Sequence, residues 1–151
     1  MRDTAPQHWF YLLAEDSETA RLHHAARLAE KAWRQGDRVA LYCRDGEQAG
    51  QLDEILWAFR PDAFLPHARL GPEDEAGGQS VVVLCHAPSP QQWQTLIVLS
   101  PQLPQHSEHF RRLALIASSD PSVLQQAREQ YRQLRERGVT PQVLDLRSRH
   151  V

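Results

Sequence analysis

The chain has 151 residues, 41% of them hydrophobic, two cysteines and a formal net charge of −2. That length and apolar content suffice for one domain, 1–151, with its own core. The charge excludes a dedicated nucleic-acid binder with its basic excess, and two cysteines exclude a disulfide scaffold. The N-terminus lacks the basic-then-apolar order of a secretory signal, and no apolar run reaches bilayer length. A soluble, cytoplasmic protein without membrane contact is the expectation.

In chain order, Trp9 to Leu13 (WFYLL) reads as a first strand. Ser17 offers a cap for a helix in which Leu22, Ala25, Ala26, Ala29, Ala32 and Trp33 recur at helical spacing up to Gly36. Arg38 to Cys43 is a second strand. Asp45 with Gln48 resembles a capping box for a second helix carrying Ala49, Leu52, Ile55, Leu56 and Phe59, ended before Pro61. His67 to Gln79, with its Gly-Pro, acidic and Gly-Gly elements, reads as a mobile loop centred on 68–79. Ser80 to Cys85, Thr95 to Leu99 and Leu113 to Ala117 are three further strands, separated by proline-rich connections at Ala87 to Gln94 and Ser100 to Gln105. A long helix follows from Asp120, a cap residue with proline behind it, to Gly138, suited to a left-handed end. Gln142 to Leu146 adds a sixth strand at an edge. Near-continuous apolar strands alternating with helices predict an α/β fold: a Rossmann-like, mainly parallel sheet of five or six strands with helices on both faces.

Such a sheet raises the question of a nucleotide. The turn after the first strand is Ala14-Glu15-Asp16-Ser17, without the glycines that let backbone approach a pyrophosphate and with two carboxylates that repel one. Gly77-Gly78 precedes a strand, so it aims no helix N-terminus at an anion. His23 and His24 are adjacent and diverge, and His106 with His109 lacks a third ligand, so the histidines read as exposed side chains on polar surface. Cys43 and Cys85 lie within strands and read as small buried hydrophobes rather than nucleophiles. Asp53-Glu54 reads as a solvated face. No catalytic residue, cofactor or metal site is expected.

Interaction surfaces are better supported. On the last helix, Val123, Leu124, Ala127, Tyr131 and Leu134 form an apolar stripe, and Arg128, Arg132 and Arg135 run along one border of it. Guanidinium groups beside an apolar seam suit an acidic peptide with an apolar end; the alternative is that the arginines merely solvate the helix and cover apolar surface with their stems. Trp57 and Phe59, followed by Arg60, Pro61, Phe64, Leu65, Pro66 and His67, make a dense aromatic and proline cluster that is either a binding surface or core closure at a helix end.

The ordered set FYLL (Phe10–Leu13), AWRQGDRV (Ala32–Val39), LDEILW (Leu52–Trp57), FLPH (Phe64–His67) and AREQYRQLR (Ala127–Arg135) resembles the chi subunit family of bacterial DNA polymerase III holoenzyme, from Phe10 to near Leu146. The resemblance implies a non-catalytic clamp-loader subunit. It binds the acidic C-terminal tail of single-stranded-DNA-binding protein, which ends in proline and phenylalanine, and meets nucleic acid only indirectly. It assigns the terminal carboxylate to Arg128, flanking and acidic contacts to Tyr131, Arg132 and Arg135, and the slot for the terminal ring to Ala117 and Val123. Leu124 stands where the family's best-known pattern has a lysine, which removes a cation from the grip. The resemblance also implies that Trp57, Phe64, Pro66 and His67 face the psi subunit, on a surface that a helicase shares in some members. A competing reading is a small nucleotide- or phosphate-handling enzyme of the same fold, and a third is direct binding of single-stranded DNA in a basic groove.

Overall fold

The computed structural model describes residues 7–58, 65–74 and 78–147. Seven strands build one sheet: β1 (Gln7–Leu12), β2 (Val39–Tyr42), β3 (Ala68–Leu70), β4 (Val81–Leu84), β5 (Thr95–Val98), β6 (Arg112–Ala117) and β7 (Gln142–Asp145). Their spatial order is β3-β4-β2-β5-β6-β1-β7, and every pairing is parallel. Three helices connect them: α1 (Glu18–Arg34), α2 (Gly46–Ala58) and α3 (Pro121–Glu136).

The helices begin and end where local chemistry requires. Ser17 Oγ accepts from the Ala20 amide at 3.1 Å to cap α1, and the Asp120 carboxylate accepts from the Val123 amide at 3.2 Å to cap α3. Asp45 caps α2 through the Gln48 amide at 3.0 Å. The return arm of that box differs from the expected one, because Gln48 Oε1 accepts from Arg44 rather than from Asp45. Gly36 and Gly138, at φ of +92° and +94°, take the left-handed conformation just past α1 and α3.

The two faces of the sheet bury separate apolar layers. On one, α1 and α2 bring Leu22, Ala25, Ala29 and Leu52 onto Val39, Leu41, Val83 and Ile97. On the other, Ala127 and Leu134 of α3 join Trp93 and Phe110 of the connections over Phe10, Leu96, Val98 and Leu115. The central strands β2, β4 and β5 are buried throughout, as expected for a parallel sheet covered on both sides.

Four expectations are corrected. The sheet has seven strands, because Ala68–Leu70 of the supposed mobile loop pairs in parallel with β4 and forms the edge opposite β7. Asp74 then closes a turn by accepting from the Gly71 amide at 2.7 Å. Cys85 is exposed, lying just past the end of β4, whereas Cys43 is buried with its thiol pushed up to about 12 by desolvation. His24 is a half-buried histidine packed edge-on against Tyr11, with ring centroids 4.9 Å apart, rather than an exposed one. Asp53 is not simply solvated: its Oδ1 lies 3.1 Å from Nε2 of His67. The expected positions of Phe59, Arg60, Pro61 and Phe64 lie outside the described residues.

Candidate functional site

In an open parallel sheet the ligand crevice lies at the carboxyl ends of the strands, where helix N-termini converge. Here that place is filled from within. Arg21, buried on the first turns of α1, donates from Nε to the Ile116 carbonyl at 2.7 Å and from its terminal nitrogens to the Leu99 carbonyl at 3.0 Å and the Glu18 carboxylate at 3.2 Å. Gln48, at the start of α2, donates to the same carboxylate at 2.8 Å. Glu18 thus puts a carboxylate where a nucleotide fold receives phosphate, and the chain's own Arg21 and Gln48 hold it. Burial lowers the Arg21 pKa, and the Glu18 carboxylate opposes that shift.

The arginine face lies on the opposite side of the sheet from α1 and α2. Ala127, Gln130 and Leu134 are the buried line of α3, with Gln130 Nε2 donating to the Ser100 carbonyl at 2.8 Å. Gln130 is missing from the apolar stripe read from the sequence; it enters the core because one backbone carbonyl there requires a donor. Leu124 and Tyr131 are half-buried at the edge of that line, and Tyr131 packs against Phe10 with ring centroids 5.7 Å apart. Arg128 stands one turn from each along α3 and is exposed.

The three arginines differ in their ties. Arg132 is held by Glu129, at 3.0 Å from Nε, and also by Glu136, and its pKa is raised by those carboxylates. Arg128 and Arg135 are exposed and make no ion pair or hydrogen bond among the described residues. Arg128 and Arg132 together line an open depression with Pro101, Pro121, Gln125 and Gln126. Pro101 and the glutamines carry no signal in the sequence that sets them apart. Val123 is half-buried in the first turn of α3, whereas Ala117, expected to help line the slot, is 0% exposed at the end of β6 and packs in the core. Leu124 packs onto the core, in company with Leu103.

Of the aromatic cluster, Trp57 sits on α2, on the other face, and Leu65 to His67 precede β3. Trp57 is 59% exposed, and its ring meets that of His67 edge-on with centroids 4.7 Å apart. The His67 side chain is itself buried, with Nδ1 2.9 Å from the Leu65 carbonyl. Pro66 is half-buried and Leu65 is buried, so the described part of the cluster combines a core-facing and a solvent-facing side.

Fold and site together define a Rossmann-like α/β protein with its nucleotide crevice closed and a cationic face on its last helix. Residues 6–142 match the profile of a family described as DNA polymerase III chi subunit, HolC. The chain is 39% identical over 129 residues to DNA polymerase III subunit chi of Pseudomonas aeruginosa, covering 85% of this chain and 89% of that protein. It is 31% identical over 129 residues to the subunit of the same name in Haemophilus influenzae, covering 85% and 90%, and 31% identical over 133 residues to that of Escherichia coli. The chain belongs to the DNA polymerase III chi subunit family, and its role is that of an accessory subunit in DNA replication.

Proposed function

We propose that this chain is a non-catalytic adaptor that binds the acidic C-terminal tail of single-stranded-DNA-binding protein on α3 and links it, through psi, to the clamp loader of the replicase. The observation that carries the reading is Arg128, exposed, unpaired among the described residues and one helical turn from half-buried Leu124 and Tyr131. An unpaired guanidinium beside apolar surface suits a peptide that ends in a carboxylate next to an aromatic ring. Arg132 and Arg135 extend the cationic face toward the upstream acidic residues of such a tail, and half-buried Val123 lies in the first turn of α3 where the ring would enter, whereas Ala117, fully buried at the end of β6, presents no surface to it. The exposed ring of Trp57, with half-buried Pro66 and the His67 ring that it meets edge-on, is the described part of the surface that the resemblance assigns to psi, Phe64 lying outside the described residues. The internal Arg21–Glu18–Gln48 network supports this adaptor reading over a phosphate-handling enzyme, because an anion there would have to displace Glu18.

The test is a titration of a labelled peptide carrying the last residues of the same organism's single-stranded-DNA-binding protein, alongside one lacking its terminal phenylalanine. Micromolar affinity, about 8 kcal/mol, that requires the phenylalanine and weakens with salt is expected. Arg128→Glu should remove binding while leaving the unfolding midpoint unchanged. Normal binding by Arg128→Glu would refute the site, and no binding of the intact peptide at low salt would refute the tail reading.

A further inference from the structure

The described residues roof the α1 face of the sheet only in part. Side chains of β1 alternate: His8, Phe10 and Leu12 are buried toward α3, whereas Trp9 and Tyr11 point to the α1 side and are half-buried. Leu144 of β7, in register beside Tyr11, continues that surface. These three form the floor of a cavity of about 370 Å³, and Leu28 and Lys31 of α1 form its wall. A second depression, lined by His24, Arg27 and Leu146, adjoins it where the ring of His24 packs against that of Tyr11.

Dimensions suggest the occupant's shape. Two strands about 4.8 Å apart leave a width of about 10 Å, the diameter of one helix. The six residues of β1 span about 20 Å, the length of about 13 helical residues. Helices cover the faces of parallel sheets for this reason, and here the described helices leave the β1–β7 strip open.

Charge decides its chemistry. Lys31 in the cavity wall and Arg27 at the adjoining depression stand one turn apart on α1, both exposed and neither paired among the described residues. Arg112 at the amino-end mouth is balanced by Asp37 at 3.2 Å, with its Nε buried and without a partner. Glu15 is at the far mouth. An apolar floor with two unpaired cations at helical spacing on one wall is complementary to a helix whose apolar stripe is flanked by two carboxylates at i and i+4.

We propose that this groove is a further docking site, separate from α3 and from the Trp57 surface, for an acidic amphipathic helix of a partner protein. The probe is a designed 18-residue helical peptide with leucines along one stripe and glutamates at i and i+4 beside it, with a twin carrying lysines for those glutamates. Each is titrated into the full-length 15N-labelled chain. The glutamate peptide should shift the Trp9 indole signal and the amides of Leu28 and Leu144, and the lysine peptide should bind about tenfold more weakly. The double variant Arg27→Glu/Lys31→Glu should reverse that preference, and Leu144→Ser at the edge strand should weaken both peptides without altering the preference. Equal response to both peptides, an unreversed preference or shifts confined to residues 121–136 would overturn the proposal. So would groove signals that move with protein concentration alone, since a second copy of the chain would then be the occupant.

Discussion

Arg21 shows how one residue can close a crevice that the fold would otherwise leave open. Its guanidinium ties the ends of β5 and β6 through the Leu99 and Ile116 carbonyls and neutralises Glu18. Arg21→Met removes the Ile116 carbonyl's side-chain donor and leaves the Leu99 carbonyl and the Glu18 carboxylate to Gln48 alone, so a loss of about 2–4 kcal/mol is expected by urea denaturation. A loss below about 1 kcal/mol would mean that water replaces the guanidinium there. His24 makes a different prediction. Desolvation, helped by Arg27, lowers its pKa from 6.5 to about 4. The unfolded chain then binds the proton more readily, so the stabilisation is complete above about pH 6.5 and is lost as pH falls toward 4. With solvent screening the effect is on the order of 1–2 kcal/mol. His24→Phe should flatten the dependence of the urea midpoint on pH across that window, and an unaltered slope would assign the dependence to other groups.

Along α3, charges compete with one another before any partner arrives. Glu129 and Glu136 both engage Arg132, and they stand on the surface that an acidic tail would approach. Glu129→Gln with Glu136→Gln should therefore tighten the tail peptide about three- to tenfold at low salt and less at high salt, read by the same titration. Weaker binding would show that these glutamates orient Arg132 rather than occupy it. Helix α3 was the most legible element in the sequence, since Asp120, Pro121 and Gly138 mark its ends and its period marks its face. The division of labour among its arginines was less so: spacing places them on one border, but only the geometry shows Arg132 held and Arg128 unpaired. Strand β3 was hidden because Ala68–Leu70 is three residues long, with no period to detect, among proline and glycine signals that normally mark loops. The start of β1 was hidden by His8, a polar residue that is buried because its Nε2 lies 2.9 Å from the Phe110 carbonyl. Cys85 misled because the apolar run SVVVLC outlasts the strand by one residue.

Across the molecule, the surfaces proposed for the tail and for psi lie on opposite sides of the sheet, α3 on one and Trp57 of α2 on the other. Sites so placed share no side chain, and changes at one should leave the other within error. Trp57→Ala should weaken psi binding by at least tenfold while the tail affinity stays within about twofold. A parallel loss of tail binding would point to coupling through the sheet. The same topology leaves β1 with an unusual history. It is the first strand made, yet it pairs with β6 and β7. Gln7 meets Arg112, and Trp9 meets Gln142. At roughly 5–20 residues per second, a ribosome takes on the order of 5–20 seconds to supply the first of those neighbours. Throughout that interval the WFYL segment has none of its native pairs, so the newborn chain depends on whatever shields it, and a message cut short before β6 would leave that segment permanently without a place.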